Sequence, residues 1–226
     1  MNAPLAAKAF QARSISLASR YGGRTVLAIG AHPDDLELAI GGMLARLSRE
    51  SARVVMAVVS IPSDFETRRA EAQRAAAILG CELRILMDDE AKRIDDIKNY
   101  QLVGMLDALV RELQPAAVLT HSANEFHRDH VTVHNACIST QRLKPFDFFH
   151  FNPTMCRPVP VQFYPRAYVD VTSTLDLKME AIAAHVSQFG ARGLEAEMYR
   201  DLARLTGRMV GVKYAEGIDV SRMLLA

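Results

Sequence analysis

Short apolar runs alternate with helix-patterned segments over the first two thirds of the chain. Four of these runs have the length and the aliphatic character of buried strands, and they lie at 25–30, 54–60, 82–86 and 117–120. The segments that follow them carry apolar residues at a spacing of about 3.6, which predicts helices within 38–47, 67–79, 97–113 and 131–143. Such alternation is typical of a parallel sheet with helices on both faces.

We therefore predict one α/β domain over residues 1–226, with a Rossmann-like three-layer fold and a mainly parallel sheet. In the common strand order 3-2-1-4-5, strands 1 and 4 are neighbours, and later strands extend the sheet. Ligands of such folds bind beyond the carboxyl ends of the strands, where the strand order reverses. The functional side chains are expected directly after strands 1 and 4.

The remaining segments are less regular. Residues 1–22 are expected to form an N-terminal arm. Residues 144–166 are rich in proline and aromatic side chains, and we expect them to form a loop over the site. The pattern then predicts a strand over 167–171 and helices over 175–189 and 194–210.

Composition excludes several classes of function. The 27 basic and 26 acidic residues give a net charge of +1, so the chain lacks the basic character of a nucleic-acid or anionic-membrane binder. No apolar run approaches the roughly 20 residues that span a bilayer. Three cysteines without C-x-x-C spacing, Cys81, Cys137 and Cys156, indicate reduced thiols and a cytoplasmic protein.

Histidines and carboxylates follow the two strands that are expected to be neighbours. His32, Asp34 and Asp35 come after strand 1, and a second group at 127–130 follows strand 4. Two imidazoles and one carboxylate with an open position are typical of a catalytic zinc site, although non-haem Fe(II) uses the same ligands. A second carboxylate beside a ligand is suited to take a proton from water.

The motifs that contain these residues resemble those of the PIG-L/LmbE family of metal-dependent N-deacetylases. The first reads AHPDDLELAIGG at 31–42, and the second reads HRDH at 127–130. Further agreement, which extends the resemblance over nearly all of 25–216, lies at 68–80, 114–122, 168–172 and 178–188.

The resemblance implies a role for each motif residue. The implied ligands of a Zn²⁺ ion, with Fe²⁺ or another divalent metal as the alternative, are His32, Asp35 and His130. Asp34 matches the base that later acts as the acid. The other two motif residues are a protonated His127 that stabilises the oxyanion and Asp129 that orients it.

Substrate contacts are predicted less directly. The four main candidates are Arg68, Asn124, His185 and Gln188, and further candidates in the expected loop are Asn152, Arg157 and Tyr164. Three positions depart from the family pattern without removing a ligand or the base, and they are Leu36 in place of Glu, Glu125 in place of Asp and Arg128 in place of Pro.

Three further histidines have alternative interpretations. His121 is either a partner of a ligand or an ordinary loop histidine. His134 shares a helix face with His130, but it lies one turn away from the strand end and is disfavoured as a ligand. His150 lies in the aromatic stretch and is expected to pack or to line the pocket.

The resemblance thus implies a zinc-dependent hydrolase that removes an N-acetyl group from an amino sugar, a GlcNAc-type conjugate, through a metal-activated water. The alternative is hydrolysis of a formyl or longer N-acyl group, or of a non-sugar amide. A nucleotide-binding module is disfavoured because strand 1 leads into AHPDD and not G-x-G-x-x-G. The intact motifs also argue against a vestigial site. We expect a small-molecule substrate, no nucleic acid, no membrane span, and a chain able to form a homo-oligomer.

Overall fold

The computed structural model describes residues 15–153, 162–192 and 195–224, without side chains for 191 and 192. Its seven-stranded sheet has the order β3-β2-β1-β4-β5-β7-β6. The strands are β1 Thr25–Gly30, β2 Arg53–Val58, β3 Glu82–Ile85, β4 Ala117–His121, β5 Asp147–Phe151, β6 Ala167–Asp170 and β7 Ala215–Arg222. Strands β1 to β5 are parallel, whereas β7 runs antiparallel to both β5 and β6.

Helices cover both faces of the sheet and leave two separate apolar cores. The helices are α1 Leu17–Tyr21, α2 Asp35–Arg49, α3 Phe65–Leu79, α4 Asn99–Leu113, α5 Arg128–Thr140, α6 Leu175–Ala183, α7 Val186–Arg192 and α8 Glu197–Val210, with a 3₁₀ turn at Ile94–Asp96. Alternate residues of β1 point into opposite cores, with Ala28 on the side of α2 and Leu27 on the side of α4. The predicted three-layer fold is confirmed.

The predicted order 3-2-1-4-5 is also confirmed, but the fifth strand is not where the sequence pattern suggested. The expected loop 144–166 contains β5, which is buried throughout and pairs with β4. Its phenylalanines lie in both cores, so the aromatic residues of this part of the segment belong to a central strand. Residues 154–161 of the expected loop lie outside the described part of the chain. The predicted strand at 167–171 is present as β6, at the far edge of the sheet.

Several other boundaries differ from the predictions. The expected helix over 175–189 is two helices, because the chain leaves helical geometry between α6 and α7 at His185. The expected helix over 194–210 begins at Glu197. The expected N-terminal arm contains α1, and its first 14 residues lie outside the described part.

The glycine pair of the first motif, Gly41 and Gly42, directly follows a kink in α2. Ile40 has a non-helical φ of −136°, and the helix restarts with free N–H groups at its second half. The buried carboxylate of Glu216 on β7 accepts the backbone N–H of Gly42 at 2.9 Å and the backbone N–H of Met43 at 2.7 Å. A Cβ atom on residue 42 would lie 2.8 Å from the side chain of Val171, so only glycine fits.

No helix within the described residues is both long enough and apolar enough to cross a membrane.

Candidate functional site

Two loops form the candidate site at the carboxyl ends of β1 and β4, which are adjacent strands. The first loop leads from β1 into α2 and carries the AHPDD motif, and the second leads from β4 into α5 and carries the HRDH motif. His130 Nε2 lies 3.2 Å from Asp35 Oδ1. The ring centroids of His32 and His130 are 5.8 Å apart. The predicted meeting of the two motifs is confirmed.

Asp35 is the central carboxylate of the cluster. It is buried at the start of α2, and its Oδ2 accepts the backbone N–H of His32 at 2.8 Å. Burial alone would raise its pKa, but His130 and His121 lower the pKa of Asp35 well below its ordinary value. The carboxylate is therefore ionised and suited to bind a cation.

Asp34 has a strained backbone and an unusual pKa. Its φ of +92° lies in the left-handed region, which a non-glycine residue adopts at a cost of about 1–3 kcal/mol. Burial and the neighbouring charge of Asp35 raise the pKa of Asp34 to about 7, although His185 and Arg68 act in the opposite direction. A carboxyl group with this pKa can both take and return a proton near neutral pH.

Two compact groups of donor atoms share His130. One group is His32, His127 and His130, and the other is Asp35, His121 and His130, with all donor atoms within 4.8 Å of one another in each group. The two groups together contain the three predicted ligands. They also contain two histidines that the resemblance did not assign as ligands.

Backbone hydrogen bonds separate the ligands from the other two histidines. Nε2 of His121 accepts the N–H of Ala31 at 2.9 Å, and Nδ1 of His127 accepts the N–H of Asp129 at 3.2 Å. For a neutral His127 this places the proton on Nε2 and leaves no lone pair for a metal. Nε2 of His121 also lies 3.2 Å from Oδ2 of Asp35, so this ring contacts the central carboxylate.

His32 and His130 have the opposite environment. His32 Nε2 lies 3.0 Å from Asp129 Oδ2, and His130 Nδ1 lies 3.4 Å from Glu125 Oε2. Burial lowers the pKa of His130, but Asp35 and Glu125 together raise it to about 10. The charge of Asp35 and the donor atoms of these rings can therefore attract a cation, and His32, Asp35 and His130 combine members of both groups.

The structure corrects the expected relation between Asp129 and His127. The carboxylate of Asp129 contacts His32, and only its backbone N–H reaches His127. His127 is exposed at the rim of the site as the N-cap of α5. Burial and the nearby His130 and His32 lower the pKa of His127, so the ring is neutral and not protonated as expected.

Three of the predicted substrate contacts are buried in the structure. Arg68 donates to the carbonyl of Pro33 at 3.2 Å, and Gln188 donates to Ser187 Oγ at 3.1 Å. His185 is 0% exposed, so its ring is buried and not open to solvent at the site as expected. The cause is a turn after α6 that directs this ring inward.

The partner of His185 is a residue that the sequence analysis missed. Nε2 of His185 lies 3.0 Å from Oε1 of Glu37, a carboxylate that is itself only 2% exposed on α2. Its signal in the sequence is a charged residue on the apolar face of a helix.

The candidates in the outer loops have different positions. Asn124 is exposed, and its carbonyl accepts the side-chain amide of buried Asn152 at 3.1 Å. Tyr164 is 74% exposed, and Arg157 lies outside the described residues. Among these side chains, only Asn124 combines exposure with a place in the loop after β4.

His134 and His150 hold the end of β4, where the second loop begins. Their Nδ1 atoms lie 2.7 Å and 3.2 Å from the carbonyl oxygen of His121, and both rings are buried. Burial lowers the pKa of both, that of His150 to about 4. Both are therefore neutral donors that fix the end of β4, which confirms the packing interpretation of His150.

Comparison with known proteins gives a consistent result. The family model described as PIG-L, GlcNAc-PI de-N-acetylase, matches residues 27–140. The chain is 29% identical over 185 residues to the uncharacterized deacetylase YaiS of Escherichia coli K12, covering 77% of this chain and 97% of YaiS. It is 26% identical over 226 residues to the diacetylchitobiose deacetylase of Thermococcus kodakarensis, covering 86% of this chain and 82% of that protein.

A solved structure extends the comparison to the fold. The 4-carboxy-2-hydroxymuconate hydratase GalB of Pseudomonas putida KT2440 superposes with a TM-score of 0.74, covering 90% of this chain and 98% of GalB at 21% identity. At that identity, the likeness extends to the fold and not to the reaction.

Proposed function

The chain belongs to the PIG-L family, and from this membership we propose that it is a metal-dependent hydrolase that removes the N-acetyl group from an amino sugar. The observation that carries the proposal is the position of Asp34, a proton-accepting carboxylate, directly beside the donor set His32, Asp35 and His130. The relatives that are named as deacetylases support the reaction, and diacetylchitobiose supports the amino-sugar class.

His32, Asp35 and His130 would hold the metal, which we propose to be Zn²⁺, with Fe²⁺ as the alternative for the same ligand types. When bound, such a cation polarises a water molecule and the acyl oxygen. The low pKa of Asp35 keeps one negative charge in the site at neutral pH, which favours the cation.

Asp34 supplies the proton transfers. It takes a proton from the water molecule as the new bond between water oxygen and acyl carbon forms. It then returns that proton to the nitrogen as the carbon–nitrogen bond breaks, which yields acetate and a free amine. A pKa of about 7 suits both steps, because the carboxyl group is neither strongly acidic nor permanently protonated.

His127 stabilises the negative oxygen of the tetrahedral intermediate. Its Nδ1 is occupied by the N–H of Asp129, so the neutral ring carries its proton on Nε2 and can donate from there. Removal of one such donor typically lowers turnover by about 10²–10³. Its exposed position at the rim keeps the ring accessible to a bound substrate.

The substrate is proposed to enter over the loop after β4. Asn124 and Phe126 are exposed there, and Phe126, which precedes His127 in the chain, is 58% exposed. An amide side chain and an aromatic face together suit a sugar ring, which presents hydroxyl groups at its edge and C–H groups on its face.

A screen for acyl release tests the proposed function. Apoprotein is mixed with Zn²⁺, Fe²⁺ or buffer, and acetate or formate release is measured from N-acetylglucosamine, diacetylchitobiose, their N-formyl and longer N-acyl analogues, and a simple N-acetyl alkylamine. We expect acetate release from the sugars, only with metal. Preference for another acyl group or for the non-sugar amide would favour the alternative, and metal-independent release would contradict the proposal.

A further inference from the structure

We propose that Asp129 and Glu125 are positioning residues, each of which fixes the ring of one metal-binding histidine; this inference rests on the proposed function through its metal site. It assigns to Asp129 a role toward His32, in place of the role toward His127 that the motif resemblance implies. It also assigns a role to Glu125, one of the positions at which the chain departs from the family pattern.

The contacts of His32 place its proton on the outer nitrogen. Nε2 lies 3.0 Å from Asp129 Oδ2, and a carboxylate at this distance accepts an N–H. Nδ1 then carries the lone pair, and it faces Oδ2 of Asp35 at 3.9 Å. His32 is therefore poised to bind a cation through Nδ1.

His130 has the same arrangement with the nitrogens exchanged. Nε2 faces Asp35 Oδ1 at 3.2 Å, and Nδ1 faces Glu125 Oε2 at 3.4 Å. The Glu125 carboxylate is 0% exposed, and its Oε1 accepts the N–H of Phe126 at 2.7 Å. That bond turns the other oxygen toward the ring, so His130 is poised to bind through Nε2.

The two carboxylates distinguish the ligands from the neighbouring rings. A ligating histidine commonly donates its outer N–H to a carboxylate, which fixes the tautomer and makes the ligand more basic. His32 has such a partner in Asp129 at 3.0 Å, and His130 faces the Glu125 carboxylate at 3.4 Å, whereas His121 and His127 each accept a backbone N–H. Both carboxylates come from the segment after β4, although His32 follows β1, so one segment orients ligands on two strands.

Metal affinity, measured without substrate, tests the inference. Zn²⁺ is titrated into apoprotein in competition with a chromophoric chelator for wild type, Asp129→Ala, Glu125→Gln and the matched control His127→Ala. We expect Kd for Zn²⁺ to rise about 10- to 100-fold in the first two variants and to change less than about twofold in the control. In a His32→Ala background, Asp129→Ala should cause no further loss, because its partner is already absent.

The outcomes separate the two roles of Asp129. The inference would be overturned if Asp129→Ala kept wild-type Zn²⁺ affinity and lost as much turnover as His127→Ala. In that case the double variant would lose no more turnover than either single variant. If thermal melting shows that Asp129→Ala does not fold, Asp129→Asn keeps the side-chain shape without the charge and must weaken Zn²⁺ binding. A wild-type protein that binds Zn²⁺ tightly but releases no acyl group would contradict the proposed function alone.

Discussion

At the scale of single residues, the bonds to each ring nitrogen determine what each histidine can do. Four histidine rings lie close together around Asp35, and the distances between their ring centroids do not distinguish the ligands from the others. The backbone N–H groups of Ala31 and Asp129 donate to ring nitrogens of His121 and His127. His121 is then a supporting ring, and His127 can act as a hydrogen-bond donor. These bonds favour the proposed ligand set over other combinations of the same neighbouring residues.

Substitution of the two adjacent aspartates should separate catalysis from metal binding. Asp34→Asn removes the proton acceptor but no ligand, so we expect turnover to fall about 10²- to 10⁴-fold with unchanged metal content. Asp35→Ala removes the central ligand and should lose the metal itself. Acyl release and elemental analysis after gel filtration measure the two effects. A near wild-type rate in Asp34→Asn would exclude this residue as the base.

At the scale of elements, the kinked α2 connects the site to β7, in the antiparallel part of the sheet. Lys178 Nζ lies 2.6 Å from Glu216 Oε1, and this buried ion pair packs against the half of α2 that follows the kink. The first half carries Asp35, which contacts His130 in the candidate site, and Glu37, which contacts His185. The kink therefore lets one helix pack beside β7 and still present its N-terminus at the end of β1.

Two glycine substitutions test the packing at this kink. Gly42→Ala places a Cβ 2.8 Å from Val171, and we expect it to lower the free energy of unfolding by about 1–3 kcal/mol. Gly104→Ala is the matched control, because its Cβ meets nothing within 4 Å in α4 and should raise stability by about 0.5–1 kcal/mol. Urea unfolding measures both. Equal effects at the two positions would show that the close approach is unimportant.

At the scale of the whole molecule, β5 joins the parallel part of the sheet to its antiparallel edge. It pairs with β4 on one side and with β7 on the other. His150 on β5 spans this junction, with Nδ1 3.2 Å from the His121 carbonyl and Nε2 2.9 Å from Ser221 Oγ. The neutral ring thus links the loop that carries the site to the last strand.

The buried His150 should make stability depend on pH. Burial and the neighbouring His134 lower the pKa of His150 to about 4, below the ordinary value of 6.5 in the unfolded chain. The unfolded state therefore binds the proton more readily, so the stability from this group is present above pH 6.5 and is lost as pH falls toward 4. We expect the loss to be about 3 kcal/mol by pH 4.

The effect of this one ring can be isolated by mutation. His150→Gln retains a donor without a titrating ring, and the free energy of unfolding from urea titrations should fall less steeply between pH 6.5 and 4 than in wild type. The same slope in both proteins would assign the pH dependence to other groups.

The sequence by itself determined the three-layer α/β fold, the order of the first four strands and the meeting of the two motifs. Strand–helix periodicity is a local property, and parallel strands bring their carboxyl ends to one edge whatever the side chains are. Burial and proton position were decided only by the tertiary structure. The aromatic run at 147–151 becomes a strand because two cores accept its phenylalanines, and His185 turns inward because Glu37 lies there. The partners of Asp129 depend on atoms from distant segments, which local pattern does not encode.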